Sequence, residues 1–494
     1  MSSLPGPYGI GELGRASRDF VDSLAEMQLS VWQFLPLGPT AYGDSPYQPL
    51  SSFAGNEMLI DIGDLVEIGL LDNDEAQQLA SLPSDFVDYG RLIPIKSQLL
   101  RVAADRFEAH ATSDLKTKRD DFVAAHDQRW LHDYARYRVL KAQHDERPWP
   151  EWEPPFADRS PNALSEFEGR ANKDVSAVKI LQFLFFEQWQ RLRDYANERG
   201  VSLFGDMPIY VALDSADAWA ERELLLIDDN GMPSLVAGVP PDYFSEHGQL
   251  WGNPIYDWQR HAETGYRWWT DRLRAAASMA DIVRIDHFRG FEAYWAVPAE
   301  SDVASSGSWQ PGPRYDLFDT LKENLGELPI VAEDLGVITP EVDALRDRYD
   351  FPGMVVLQFA IMDDGFSLDA VPANRVCYTG THDNDTTLGW FRGSPDDMRS
   401  PDEIANAQRI ALAITGGTPE SISSDMIAAA FSTQARLAIA PLQDYLGLGS
   451  EARINVPGTS ADNWRWRVTG DQLDTSIRQK VAGMVEAADR SPQN

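Results

Sequence analysis

The sequence predicts an α/β fold, a parallel (β/α)8 TIM barrel with large, mostly helical insertions between barrel strands. Three observations predict it. Short apolar runs alternate with helical stretches, the order of a parallel sheet. The runs are continuously apolar rather than alternating, as strands covered on both faces are. Several end in an acidic residue, and a parallel barrel gathers all its C-terminal strand ends on one face.

The candidate strands are 31–36 (VWQFLP), 201–206 (VSLFGD), 281–286 (DIVRID), 329–333 (PIVAE), 353–359 (GMVVLQF), 375–380 (RVCYTG) and 436–441 (RLAIAP). Helical patterns lie at 14–28, 175–199, 262–279 and 339–348. These runs nearly complete a barrel, but their spacing is uneven. Residues 52–200 are expected to form an inserted, mostly helical subdomain that includes the Pro-rich stretch 147–163. Residues 207–260, rich in Gly, Pro and aromatics, are expected to form an inserted loop subdomain over the active site. The 494 residues, 1–494, then make a single elaborated catalytic barrel.

Composition excludes several classes. The net charge is −34 with a pI near 4.5, a field that repels nucleic acid and anionic lipid and leaves a neutral substrate untouched. Cys377 is the one cysteine, so no internal disulfide and no cysteine metal cluster can form. The start, MSSLPGPYGIGELG, lacks a secretory pattern, and no apolar run is long enough to span a membrane. The expected location is cytoplasmic. The cations are mostly arginine; such an acidic, lysine-poor surface fits either high-salt adaptation or ordinary acidic solubility.

The chemistry sits at the strand ends. Asp206, Asp286 and Glu333 close three candidate strands, and Asp383 follows RVCYTGTH. A single acid there is an ordinary helix N-cap; four on different strands point to a shared cavity. Such carboxylates either hold a divalent metal or cleave a glycosidic bond. Arg284 lies two residues before Asp286, so a strand points both to one face. A guanidinium keeps Asp286 ionised but would oppose a metal. His287 and His382 match no metal-binding spacing, and sugar-hydroxyl binding suits His382 better. No metal and no cofactor are expected. Tyr42, Tyr47, Tyr243, Trp251, Tyr256 and Trp258 lie in predicted loops, where aromatic faces stack on pyranose rings. Tyr256 and Trp258 read as packing, and Trp251 in QLWGNP as a sugar platform.

These residues carry a resemblance. The segments SLPGPYGIGELG (3–14), WQFLPLGPTAYGDSPYQPLSSFAGN (32–56), GDMPIYVALDSADAWA (205–220), GQLWGNPIYDW (248–258), VRIDHFRGFEAYW (283–295), VAEDLG (331–336), TGTHDNDTTLGW (379–390) and NWRWR (463–467) closely resemble glycoside hydrolase family 77. These are the 4-α-glucanotransferases of the amylomaltase, or disproportionating enzyme, type. The resemblance implies a retaining transfer of α-1,4-glucan segments between maltooligosaccharides. It implies Asp286 as nucleophile, Glu333 as general acid/base and Asp383 as transition-state stabiliser. Arg284, His382 and Asp206 are implied around the subsite before the cut, and Tyr42, Ser45, Tyr47, Trp251 and Asn253 as chain-binding groups. The loop 235–254 is expected to cover the site and favour a glucan acceptor over water. An α-glucan hydrolase of the same superfamily and a non-catalytic glucan-binding protein are the alternatives. Oligomeric state is not legible. Family members carry an apolar strand ahead of SLPGPYG. The first barrel strand is therefore expected to be missing here, leaving an open edge that lowers stability or promotes association.

Overall fold

The structure, a computed structural model, describes residues 1–241, 248–394, 397–459 and 461–492; the side chain of Tyr42, and Tyr243 altogether, lie outside the described residues. Every candidate apolar run contains a parallel strand. Val31–Gln33, Ser202–Met207, Ile282–Ile285 and Ile330–Ala332 pair side by side in that order. Gly353–Val356, Arg375–Tyr378 and Leu437–Ile439 form a second parallel sheet in chain order. The Ala332 N–H donates to the Pro352 carbonyl at 2.8 Å and joins the two. Phe204, Val331, Met354, Val356, Val376 and Tyr378, all buried, cluster between them. Burying each such side chain stabilises by about 1.5–3 kcal/mol.

The run 353–359 is strand only to Val356; Leu357–Ala360 turns into a helix. There the buried Gln358 amide donates to the Asp385 carbonyl at 2.9 Å, a contact the extended chain would not direct. Gly353 is needed where it stands. A Cβ on it would collide with the Arg375–Asp334 ion pair that crosses this strand.

Among the described residues, Val31–Gln33 and Leu437–Ile439 each have one strand neighbour. A cavity of about 530 Å³ touches both, together with Leu24, Met27 and Val485. The cavity reaches Arg284 and His382, but its walls include neither Asp286, Glu333 nor Asp383. It therefore lies apart from those three acids.

Between the first two parallel strands the chain is largely helical, with Tyr89–His110, Ser113–His126, His132–Gln143 and Pro161–Glu198. The last is 38 residues long and has Pro in its first turn, where no backbone donor is lost. It starts well before the expected 175 because Leu164, Phe167, Ala171 and Val175 extend its buried stripe at helical spacing. Trp189 ties this helix to the barrel, its indole N–H donating to the Met279 carbonyl at 3.1 Å. The expected helix 262–279 is instead two, Trp258–Glu263 and Arg267–Met279, divided at Gly265 with its φ of 64°. No described helix is long and apolar enough to cross a membrane.

Residues 207–260 are not loop throughout. Leu235–Val239 and Gln249–Pro254 pair antiparallel, and Ala293–Pro298 and Ser308–Pro311 continue the sheet on the other side. Glycines in both early strands mask their β character, and the partner at 293–298 lies far along the chain.

Candidate active site

Strand register builds the site. Asp206 and Arg284 are direct neighbours on adjacent parallel strands. Arg284 and Asp286 stand two residues apart and share a face. The result is a chain of charge: Arg284 donates to both Asp206 oxygens at 2.8 and 2.7 Å and to Asp286 Oδ1 at 2.8 Å. Arg284 and Asp206 are buried, so these bonds act in a medium that screens them little. Tyr47 reaches the same cluster from the loop after the first strand. Its O–H donates to Asp206 Oδ2 at 2.7 Å and lies 3.3 Å from His382 Nδ1. Its ring stacks on His382 with centroids 4.8 Å apart. Burial, then Asp206, keeps the Tyr47 phenol protonated far above the ordinary tyrosine range.

Glu333 follows the Ile330–Ala332 strand and is held by backbone. His287 N–H donates to its Oε2 and Leu335 N–H to its Oε1, both at 2.7 Å. His287 makes this possible by adopting a left-handed φ of 52° directly after Asp286, a conformation costing of order 1–3 kcal/mol that clusters at functional sites. Burial, and next the Asp286 charge, push the Glu333 carboxyl up from 4.5 to about 7. Asp286 is also pushed up by burial, with Arg284 pulling it back down. His287 is neutral, its imidazole lowered to about 4 by burial and then Arg289. Next to Glu333, buried Asp334 pairs with Arg346 and Arg375 and accepts the Met354 N–H at 2.7 Å, which pins the loop.

Asp383 is more open than the other acids, with 51% of its side chain exposed. Its Oδ2 lies 3.4 Å from His382 Nε2. Its loop is anchored from below by buried Asp444, which accepts from the Thr379 and Thr387 hydroxyls at 2.6 and 2.7 Å and from the Thr387 N–H at 2.7 Å.

The chain-binding candidates divide. Trp251 is half-buried and meets the ring of His287, whose N–H donates to Glu333, edge-on at 4.9 Å. Asn253 is buried, and its amide is engaged by Gln48 and the Val211 carbonyl, so it supports the loop. Ser45 accepts the Tyr47 N–H at 3.3 Å and shapes the turn that carries Tyr47. Tyr256 and Trp258 pack inside, Tyr256 donating to the Ile209 carbonyl at 2.9 Å and Trp258 stacking on Trp269. Sequence reasoning missed Arg453 and Asn455, which contact Asp383, and gave Trp464 no role. Only Trp464 had a signal, its place in NWRWR.

Known proteins resemble this chain over nearly its whole length. A 4-alpha-glucanotransferase of Synechocystis sp. is 46% identical over 491 residues, 98% of this chain and 95% of that protein. One of Thermus thermophilus is 45% identical over 499 residues, 99% and 97% of the two. Among solved structures, the amylomaltase from Streptococcus agalactiae in complex with acarbose matches with a TM-score of 0.93 at 34% identity, over 99% of this chain and 98% of that one. The fold is accordingly the TIM barrel with helical insertions. The 4-alpha-glucanotransferase pattern covers residues 1–473, and the chain belongs to that family, glycoside hydrolase family 77.

Proposed function

We propose that this enzyme transfers α-1,4-glucan segments between maltooligosaccharides by a retaining double displacement in which Asp286 attacks, Glu333 moves the proton and Asp383 stabilises the charged ring. The observation that carries the reading is the contrast between two neighbouring carboxyls. Asp286 faces the Arg284 guanidinium at 2.8 Å. Among the described residues no cation stands that close to Glu333, and its carboxyl stays protonated up to about 7. Two acids with opposed environments are what an acid and a nucleophile require. In the first step Glu333 donates its proton to the leaving glycosidic oxygen as Asp286 attacks the anomeric carbon. In the second, Glu333 takes a proton from the incoming 4-hydroxyl, which displaces Asp286. Trp251, against His287, supplies a stacking face for the acceptor sugar. The acarbose bound by the Streptococcus agalactiae relative supports an α-glucan as the substrate class.

The test uses Glu333→Gln with α-maltotriosyl fluoride. Fluoride leaves without acid help, while release of the glycosyl group is slowed, so the covalent intermediate accumulates. Peptide mass mapping is expected to find it on Asp286. An adduct elsewhere, or none while maltotriose turnover is lost, would overturn the assignment.

A further inference from the structure

We propose that Asn455 is a positioning residue for Asp383, presented by a C-terminal strap that the remainder of the chain holds in place. The inference rests on the reading of Asp383 as the stabiliser of ring charge. That role demands a carboxylate that is ionised and fixed, yet Asp383 sits half-exposed on a loop. The Asn455 side-chain amide donates to Asp383 Oδ1 at 2.7 Å. Arg453 staples the two residues, donating to the Asp383 carbonyl at 2.8 Å and to the Asn455 carbonyl at 2.7 Å. The choice of donor matters. An amide orients a carboxylate without neutralising it, whereas a guanidinium at the same oxygen would compete with the developing positive charge on the sugar.

The strap also has anchors away from the loop it touches. Trp464 takes a left-handed φ of 63°, and its N–H donates to the Ile454 carbonyl at 2.7 Å. Its ring meets both His382 and Tyr47 at 5.9 Å, and its carbonyl accepts from the Tyr89 hydroxyl at 3.1 Å. Further along, buried Arg467 donates to the carbonyls of Leu4, Gly6 and Pro83. The strap therefore carries contacts from the chain's first residues and the helical insertion to the sugar-facing loop.

The experiment measures initial fluoride release from α-maltotriosyl fluoride by Asn455→Ala, Asp383→Asn and the double variant. Asn455→Ala is expected to lower kcat about tenfold, with KM within twofold and Tm within two degrees. Asp383→Asn is expected to lose much more, and adding Asn455→Ala to it to change the rate less than twofold. An unchanged kcat in Asn455→Ala overturns the proposal. So does a tenfold loss that persists on the Asp383→Asn background, which marks a merely structural part. Full activity in Asp383→Asn itself removes the underlying reading of Asp383 and the proposal together.

Discussion

Glu333 and Asp286 differ less in chemistry than in surroundings, and pH separates them. Because the Glu333 carboxyl lies at about 7 rather than 4.5, the acid form needed for the first step is lost as pH rises through 7. The rate of maltotriose turnover is expected to fall about tenfold per pH unit above that point. Stability follows the same sign. A raised folded-state pKa gives a contribution fully present below 4.5 and lost as pH rises to about 7. Glu333→Gln removes that dependence, so its Tm relative to wild type is expected to be more favourable at pH 8.5 than at pH 5; a difference that does not change with pH would contradict the burial argument. Asp206, Arg284, Asp286 and Glu333 were legible because strand geometry places them, whereas Asp383, on a loop beyond its strand, was legible from the segment TGTHDNDTTLGW. Asn455 was not, since a lone Asn in a loop carries no pattern and its partner lies 72 positions away.

At the scale of elements, one buried carboxylate anchors both ends of the loop 379–387. Asp444 accepts three hydrogen bonds from Thr379 and Thr387. Hydrogen bonds to a buried charge are worth more than neutral ones, and Asp444→Ala strands the partners, so a loss of about 3 kcal/mol is expected in denaturant unfolding. Activity is expected to fall further than the folded fraction does, because His382 and Asp383 ride on this loop; a variant that loses stability but keeps kcat would show the loop is placed by other contacts. The parallel strands were readable from short apolar runs covered on both faces. The antiparallel sheet holding Leu235–Val239 and Gln249–Pro254 was not, because its pairing is non-local and its glycines read as loop. The same limit applies to Leu357–Ala360, where a buried Gln contact rather than local preference bends the chain.

At the scale of the molecule, charge bears on stability. A net charge of −34 repels itself at low ionic strength. If the acidic surface reflects high-salt adaptation, Tm rises by several degrees between dilute buffer and molar salt, and full stability in dilute buffer contradicts it. All of this serves one reaction, and the most direct measurement is to incubate the protein with maltotriose and resolve the products by length. Glucose together with a ladder of longer maltooligosaccharides, lost by about 10⁴-fold in Asp286→Asn, is the predicted result. Glucose and maltose alone would make water the acceptor, and a ladder that survives Asp286→Asn would contradict the nucleophile on which the account rests.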